Sequence, residues 1–353
     1  MSGDFMPEDK VSVIIAVYNG ADFVKYTLDS ILLQTYKNLE IIVVDDASTD
    51  NSRDVISSFI DSRIKTVFLE KNRNVCYAAN KGLSMASGNY IAFCGHDDLW
   101  KSEKIEKQIT FLQENEEYGA CFSCADVINE NNEICNAKHP LLRRTLHTYN
   151  YPDSLMVRKM FFSDNKLCAS SAFIRKKVLD ETGGFRYGLV QCQDYDLWMR
   201  ILAKTHIYIV PEILTLYRKF SVESRNLSSV TQATQNRTMH ETQWLMDDFL
   251  FSLTKERFKQ IFSKDMTNPA ASTDMEILCE KIFLLSKTEN CFAVKRWIEL
   301  LEDEEFRNIL EEKYNFELTD FYKWNQNSML FDANWSNRVG FLEQMVRHYE
   351  NQK

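Results

Sequence analysis

Short apolar runs alternate with amphipathic helical stretches through the first hundred residues of this chain. The apolar runs have the length of strands and are rich in β-branched residues, as in strands that are buried on both faces. We predict four such strands, at Val11–Val17, Glu40–Val44, Ile64–Leu69 and Tyr90–Cys94. The intervening patterns predict helices at about Asp22–Gln34, up to about Ile60, and at Asn74–Ser87. Alternation at this spacing indicates βαβ units and a parallel sheet, in which ligands bind beyond the carboxyl ends of the strands.

The pattern changes at about residue 226 of the 353. Before that point it continues with strands at Ala120–Ile128 and near Cys168–Ile174, a helix to Glu181 and a turn at Gly183-Gly184. Beyond it helical stripes predominate, as at Trp244/Phe249, Ile282/Leu285 and Phe341/Met345. We therefore predict an α/β domain over residues 1–225 and a helical C-terminal region over residues 226–353.

Composition excludes several classes of protein. With 42 Lys and Arg against 51 Asp and Glu, and no basic block, the chain lacks the electrostatic footprint of a general nucleic-acid binder. No apolar run approaches the ~20 residues of a membrane span, and the first residues show no export signal. The nine cysteines, including Cys121 and Cys124 at CxxC spacing, form no disulfide framework and fit reduced, mostly core thiols. We expect a cytoplasmic protein.

An acidic pair follows the fourth strand in the segment Gly95-His96-Asp97-Asp98-Leu99-Trp100. Two adjacent carboxylates beside a histidine suit a hard divalent cation such as Mg²⁺ or Mn²⁺. Such an ion can bridge the two phosphates of a nucleotide diphosphate and neutralise the charge of a leaving group. The alternative is a solvated Asp pair that caps a helix beginning near Lys101.

A second acidic pair, Asp45-Asp46, follows the second strand. Asp46 can accept a hydrogen bond from a nucleobase, while Ser48 and Thr49 cap the next helix. Capping alone is the alternative. Tyr18, directly after the first strand, either stacks on a base at the same edge of the sheet or simply packs.

The segment Gln193–Arg200 (QDYDLWMR) predicts a helix with one carboxylate facing a cleft. Its apolar positions anchor the helix and leave Asp194 exposed to an acceptor hydroxyl, toward which a carboxylate is a competent general base. Asp196 has Arg200 four residues further on as an ion-pair partner, which is its structural alternative.

The order and spacing of these segments resemble the inverting GT-A glycosyltransferases of family 2. The similarity rests on VSVIIAVYNG, SILLQTYKNLEIIVVDDASTD, NYIAFCGHDDLW and GGF…QDYDLWMRI, and it covers roughly residues 10–221. It implies a nucleotide-binding α/β fold with a mixed, Rossmann-like sheet, a nucleoside-diphosphate sugar donor, a divalent metal ion and a glycosyltransferase reaction of the EC 2.4 class.

The resemblance also implies residues that bind the donor. Ala16 and Tyr18 fall where the family contacts the base, and Asp46 falls where the family hydrogen-bonds uracil or an equivalent base. Arg73, between the third strand and the next helix, is a further candidate for the donor phosphates.

The metal site and the general base are implied in the same way. Asp97 falls at the last carboxylate of the D-x-D element, which ligates the metal and binds the donor, and Asp98 joins it in the expected ligand set. His96 either ligates the ion as well, which favours Mn²⁺, or faces solvent. Asp194 falls at the base that removes the proton of the acceptor hydroxyl during in-line attack on the anomeric carbon.

Three positions depart from the family pattern. Gly95 stands where D-x-D-D usually begins, Gln193 replaces a usual Glu, and Phe220 stands at the His of the YRxH element that can complete the metal site. Because Asp97 and Asp194 are retained, we expect an active, metal-dependent inverting enzyme.

The expected reaction moves a sugar from a UDP-sugar to a hydroxyl of a saccharide or lipid-linked saccharide in surface polysaccharide synthesis. The alternative is a catalytically degenerate nucleotide-sugar-binding or scaffold protein. Three roles are open for the C-terminal helices: packing, homo-oligomerisation, or peripheral contact with the inner face of a membrane. Residues 226–353 carry 15 basic and 21 acidic side chains, a net −6 that disfavours contact with anionic lipids.

Overall fold

The structure, a computed structural model, describes residues 9–221, 231–288 and 290–327. The chain divides into two compact units between Thr242 and Gln243, inside one long helix. The predicted boundary at residue 226 and the predicted Phe341/Met345 stripe lie outside the described residues.

The first unit is built on a sheet of eight strands among the described residues. The strands are β1 (Val11–Val17), β2 (Leu39–Asp45), β3 (Ile64–Phe68), β4 (Tyr90–Gly95), β5 (Leu99–Trp100), β6 (Tyr118–Ile128), β7 (Phe173–Arg175) and β8 (His206–Arg218). The helices are α1 (Val24–Leu32), α2 (Ser52–Ser57), α3 (Val75–Met85), α4 (Lys104–Glu114), α5 (Pro140–Leu146), α6 (Asp153–Phe162), α7 (Lys176–Thr182) and α8 (Gln193–Lys204).

The sheet is mixed. Its strand order is β3-β2-β1-β4-β7-β6-β8-β5, and β1 to β4 run parallel, with β1 between β2 and β4. The short β7 is antiparallel to β4 and β6 and so joins this parallel block to the rest of the sheet. Every residue of β2 is buried, as the continuous apolar run predicts for a strand covered on both faces.

Two elements begin later than predicted. The strand predicted near Cys168–Ile174 begins only at Phe173, because the backbone N of Ser171 donates to the Cys168 carbonyl (2.9 Å) in a three-ten turn before it. The helix predicted to begin near Lys101 is α4, which begins at Lys104, after Leu99 and Trp100 pair with β8.

The second unit is helical. After the end of α9 (Gln232–Ser252) it contains α10 (Lys255–Phe262), α11 (Asp274–Lys287), α12 (Phe292–Leu300), α13 (Glu304–Tyr314) and α14 (Leu318–Asn327). Trp297 lies at its centre, 1% exposed, with its ring stacked 5.1 Å from Phe316 and its Nε1 donating to Ser286 Oγ (2.8 Å). The predicted stripes at Trp244/Phe249 and Ile282/Leu285 lie on α9 and α11. In the part of the chain that the structure describes, no helix is both long and apolar enough to cross a membrane.

All nine cysteines are free thiols, and Cys291 alone is not fully buried. Cys121 and Cys124 both lie on β6 and are buried, as predicted.

Candidate functional site

Three adjacent parallel strands end at one edge of the sheet and bring predicted donor residues together. Ala16, near the end of β1, lies in register between Val44 of β2 and Gly95 of β4. Neighbouring strands are about 4.8 Å apart. The segments that follow β2 and β4 therefore place Asp46 and Asp97 on either side of the end of β1.

The turn after β1 is bonded to the turn after β2. Asn19 N donates to Ser48 Oγ (2.9 Å), and Thr49 N donates to Asn19 Oδ1 (2.8 Å). The prediction that Ser48 and Thr49 cap the following helix is therefore wrong, because both are used across the two turns and α2 begins only at Ser52. Tyr18 stands beside this junction and is 45% exposed, so its ring is accessible to a ligand.

The side chain of Asp46 is hydrogen-bonded to the backbone of Arg73. Asp46 is 2% exposed, and its Oδ1 accepts a hydrogen bond from Arg73 N (2.8 Å). The exposed guanidinium of Arg73 lies 4.8 Å from the centre of the Tyr77 ring. Asp45 has a structural role instead, since its Oδ1 accepts from Arg53 Nε (2.8 Å).

The acidic segment after β4 folds back on Gly95. A Cβ atom at Gly95 would lie 2.9 Å from Asp98 Oδ2 and 3.0 Å from Asp97 Oδ1. The two carboxylates thus occupy the space of a side chain, which explains a glycine at this position.

The two carboxylates have different surroundings. Asp98 is 3% exposed; its Oδ1 accepts from Arg218 N (2.7 Å) and its Oδ2 accepts from Ser170 Oγ. Burial raises the pKa of Asp98 above its usual range and the charge of Asp97 adds to the rise, while the two hydrogen bonds oppose it. Asp97 is partly exposed. Of the pair, Asp97 is the carboxylate that a ligand can reach.

Buried Arg218 braces this segment, a role that was not predicted. Its Nε donates to the Asp97 carbonyl (2.6 Å), and its Nη2 donates to Asn132 Oδ1 (2.6 Å). Its guanidinium lies 4.7 Å from the centre of the Phe23 ring. Burial lowers the pKa of Arg218, and the charges of Asp97 and Asp98 oppose that effect. The one sequence feature that could have pointed to Arg218 is its place in the YRxH element, two residues before Phe220.

His96 lies against the β1 turn. A Cβ atom at Gly20 would be 2.4 Å from His96 Cδ2, so the close approach requires glycine. Among the described residues no group of three or more His, Cys, Asp or Glu side chains is placed to hold a metal ion. Metal binding by His96, Asp97 and Asp98 stays a prediction. The accessible Asp97 fits the mode in which Mg²⁺ is bound by one or two carboxylates together with substrate phosphates.

Asp194 lies in the first turn of α8, and two hydrogen bonds orient its carboxylate. Its Oδ2 accepts from Asn165 Nδ2 (2.9 Å) and its Oδ1 from Tyr195 N (2.7 Å). Burial raises the pKa of Asp194 to about 6, while these bonds hold the pKa lower than burial alone would. Such a carboxylate is ionised near neutral pH and basic enough to accept a proton. Asn165 is not among the predicted site residues, because nothing in its local sequence indicates contact with α8.

Asp196 has the structural role given as its alternative. It is 2% exposed, and its two oxygens pair with Arg186 Nη1 (3.0 Å) and Arg200 Nη2 (2.7 Å). Asp196 is thereby unavailable as a base, and the pairs fix α8 in place.

One short segment contacts both Asp194 and the acidic segment after β4. Asn165 bonds Asp194 and Ser170 bonds Asp98, and the two donors are five residues apart. Five residues span at most about 18 Å. Cys168 lies between these two donors. Burial raises the pKa of its thiol, and the negative charges of Asp98 and Asp194 raise it further.

The residues that precede α8 are anchored by a single carboxylate, another contact that was not predicted. Glu241 on α9 accepts hydrogen bonds from the backbone N of Val190 (3.0 Å), Gln191 (2.7 Å) and Cys192 (2.8 Å). Cys192 Sγ also lies 3.3 Å from Thr242 Oγ1. The approach to the Asp194 helix is therefore fixed by α9.

Comparison with known proteins establishes the family. A model described as glycosyl transferase family 2 matches residues 12–183. An Escherichia coli relative, the UDP-Glc:alpha-D-GlcNAc-diphosphoundecaprenol beta-1,3-glucosyltransferase WfaP, is 33% identical over 196 residues, which cover 55% of this chain and 70% of that protein. The chain belongs to glycosyl transferase family 2. An uncharacterized glycosyltransferase of Rickettsia prowazekii is 28% identical over 326 residues, or 90% of this chain and 96% of the relative.

A solved structure confirms the predicted fold class. Residues 1–349 of S. aureus TarS, in complex with UDP-GlcNAc, match with a TM-score of 0.55 at 16% identity, over 87% of this chain and 91% of that one. At this identity the likeness shows the GT-A fold alone.

Two departures from the family 2 pattern have a visible structural consequence. Gly95 leaves room for the Asp97 and Asp98 carboxylates, which a side chain there would displace. Phe220 is 7% exposed, and its ring centre lies 5.1 Å from that of Phe23, so apolar packing takes the place of a polar ligand.

Proposed function

We propose that this family 2 glycosyltransferase is a metal-dependent, inverting enzyme. In this proposal it transfers a sugar from a UDP-sugar to a hydroxyl of a saccharide or lipid-linked saccharide during surface polysaccharide synthesis. The observation that carries the proposal is Asp194, whose pKa is raised to about 6 and which Asn165 orients. The activity in the name of the relative WfaP supports a UDP-sugar donor and a diphospholipid acceptor.

The donor would bind at the shared edge of β1, β2 and β4. The Asp46 carboxylate would accept from a base N–H, with Ala16 and Tyr18 against the base. Arg73, whose main chain is bonded to Asp46, carries an exposed guanidinium that would pair with a donor phosphate.

The chemical step needs one base. Asp194 Oδ would take the proton of the acceptor hydroxyl as that oxygen forms a bond to the anomeric carbon. The bond from that carbon to the diphosphate breaks on the opposite face, and the configuration inverts. Bound Mn²⁺ or Mg²⁺, held by Asp97 with Asp98 and His96 beside it, would supply positive charge to the departing diphosphate.

Catalysis is assigned to residues 1–225 in this proposal. For the helices beyond residue 226 we favour packing or homo-oligomerisation over peripheral membrane contact, since the net charge of that region is −6. Light scattering of the full chain measures the oligomeric state directly.

The test measures nucleoside diphosphate release from UDP-, GDP- and dTDP-sugars, with and without Mn²⁺, in the presence of lipid-linked acceptors. Turnover is expected with a UDP-sugar and is lost in Asp97→Ala and Asp194→Asn. Asp29→Asn removes an exposed carboxylate that pairs with Lys25 on α1, and this control retains activity. The anomeric proton coupling of the product reports inversion.

The second candidate is the degenerate binding protein, which the residues at Gly95 and Phe220 favour. Donor binding without turnover in any combination would support it. Turnover that survives Asp194→Asn would contradict the proposed base.

A further inference from the structure

One short stretch of the first unit, residues 134–152, combines positive charge with exposed apolar side chains. It contains no Asp or Glu, in a chain whose net charge is −9, and it has three exposed basic residues, Lys138, Arg143 and Arg144. Three large apolar side chains are also mostly exposed, namely Ile134 (60%), Leu141 (79%) and Tyr149 (73%). None of the three cations is paired with a carboxylate within the described residues. An exposed apolar residue is common by itself, but its combination with unpaired cations indicates a partner that is both anionic and apolar.

Helix α5 turns this combination toward solvent. Leu142 and Leu146 are four residues apart and so lie on one face of the helix, which packs into an apolar cluster beneath it. The side chains at positions 141, 143 and 144 lie outside this face and are exposed. We call the following exposed set the α5 patch: Lys138, Leu141, Arg143 and Arg144.

Hydrogen bonds hold both ends of this stretch against β6. Asp126 Oδ1 accepts from Asn136 Nδ2 (2.8 Å) and lies 3.0 Å from His147 Nε2. Asn136 Oδ1 in turn accepts from Val127 N (2.8 Å). The orientation of α5, which lies between Asn136 and His147, is therefore fixed. A surface that is already ordered loses less conformational entropy when it binds.

The buried face of α5 packs near the candidate site. Cys168 belongs to the same apolar cluster as Leu146 and lies in the segment 165–170, whose side chains bond Asp194 and Asp98. The α5 patch is on the opposite face of the same helix. A surface that binds this patch would therefore lie close to the site as well.

We propose that the α5 patch docks this protein on a bilayer that contains anionic lipids, with Leu141 in the headgroup region and the three cations beside lipid phosphates. Short amphipathic segments that carry leucine and basic residues bind such interfaces. Each basic residue near the surface strengthens binding about fivefold. Charges more than about 8 Å away are largely screened at physiological ionic strength, so the positive charge of the patch outweighs the negative charge of the remaining chain.

A second copy of this chain fits the α5 patch less well than a bilayer does. A twofold interface presents the same surface from both subunits, so it would bring the unpaired cations of the two patches together. The docking does not depend on the proposed function, although a lipid-linked acceptor would lie at the same bilayer surface. It also differs from membrane contact by the acidic helices beyond residue 226, which their net charge disfavours.

The experiment measures co-sedimentation of the full chain with phosphatidylcholine vesicles, either pure or with about one-third phosphatidylglycerol. The wild type should bind the anionic vesicles, bind the neutral ones more weakly, and lose affinity for the anionic ones as NaCl is raised. Arg143→Gln/Arg144→Gln should weaken binding to anionic vesicles about 25-fold, whereas Arg143→Lys/Arg144→Lys keeps it within about twofold. Leu141→Gln should weaken binding about tenfold.

A matched control removes the same charge elsewhere. Lys81 and Lys177 are exposed and lie outside the α5 patch, so Lys81→Gln/Lys177→Gln should keep vesicle binding within about twofold of wild type. All of these variants change exposed side chains, and their Tm should stay within about 2 °C of that of wild type.

Several results would overturn the inference. They are no binding of the wild type to anionic vesicles, equal binding to neutral ones, or an equal loss in the lysine control and the arginine variant. Release from the vesicles by millimolar soluble pyrophosphate, at matched ionic strength, would assign the cations to a diphosphate site instead. A dimer that Leu141→Gln dissociates, measured by light scattering, would assign the patch to a second copy. Failure of the proposed function is a separate result, since vesicle binding needs neither a donor nor Asp194.

Discussion

In the proposed mechanism Asp194 is the base, and its hydrogen bond from Asn165 would set the pH range in which it is ionised, so removal of Asn165 should move that range. At a pKa of about 6, the carboxylate is about half ionised at pH 6 and about nine-tenths ionised at pH 7. The rate of a step that needs the ionised form falls about tenfold per unit below that pKa.

The size of the shift follows from the contact. Asn165 Nδ2 donates to Asp194 Oδ2 at 2.9 Å, a bond that favours the charged form. Hydrogen bonds to charged groups contribute about 1.5–3 kcal/mol. Because this site is partly exposed and water can take the place of the amide, we use the low end, which equals about one pKa unit.

Asn165→Ala should therefore move the midpoint of the acid limb of kcat/KM for the acceptor from about pH 6 to about pH 7. Activity at pH 6 falls about fivefold, while activity at pH 8.5 stays close to that of wild type. The assay is diphosphate release from a saturating donor across pH 5–9, and the KM of the donor should not change.

Asn150 provides a matched control. Its side chain also makes two hydrogen bonds, to the backbone N and O of Ile209, but it does not contact Asp194. Asn150→Ala should lower stability and leave the pH profile unmoved. An acid limb at the same midpoint in Asn165→Ala and wild type would refute the role of the Asn165 bond.

Three further outcomes are expected. Gly95→Asp, which restores the usual family residue, should weaken Mn²⁺ binding measured by electron paramagnetic resonance, because two carboxylates already fill that space; tighter binding would contradict this. Gly20→Ala should lower the free energy of unfolding by about 1–3 kcal/mol, because the added methyl group would collide with the His96 ring. The further change His96→Ala should restore most of this loss. A double variant no more stable than Gly20→Ala would argue against that collision. Burial lowers the pKa of Lys104 to about 8, below its ordinary 10.5, so the folded state holds this proton less tightly than the unfolded state. Stability therefore gains up to about 3 kcal/mol between pH 8 and 10.5, relative to Lys104→Met in urea titrations, and equal pH dependence of the two proteins would disprove it.

The central strands could be predicted because short runs of apolar, β-branched residues fit only a strand that is buried on both faces. Residues 11–17 form β1 with the predicted bounds, since a run of β-branched apolar residues this short is stable only when covered on both faces. The same logic placed Asp46 and Asp97 at one edge, because neighbouring parallel strands end together.

The supporting contacts of the site could not be predicted, because they join distant segments. Asn165 reaches Asp194 across 29 residues, and Glu241 reaches Val190–Cys192 across 49 to 51. A lone Asn or Glu has no periodicity, and its partner is determined by how the elements pack. The two-residue β5 escaped prediction for the same reason, since its partner Leu216 is remote in sequence.

The acidic pair after β4 shows where a motif stops being informative. Asp97 and Asp98 are adjacent and identical, so spacing and charge cannot distinguish them. The fold distinguishes them through two partners, Ser170 and Arg218, which lie 72 and 120 residues further along the chain and bind both oxygens of Asp98. A buried carboxylate without such partners would be costly, so the same packing that buries Asp98 must also bond it, and Asp97 is left for a ligand. A motif therefore places a carboxylate pair at this edge, and distant residues determine which member of the pair is available.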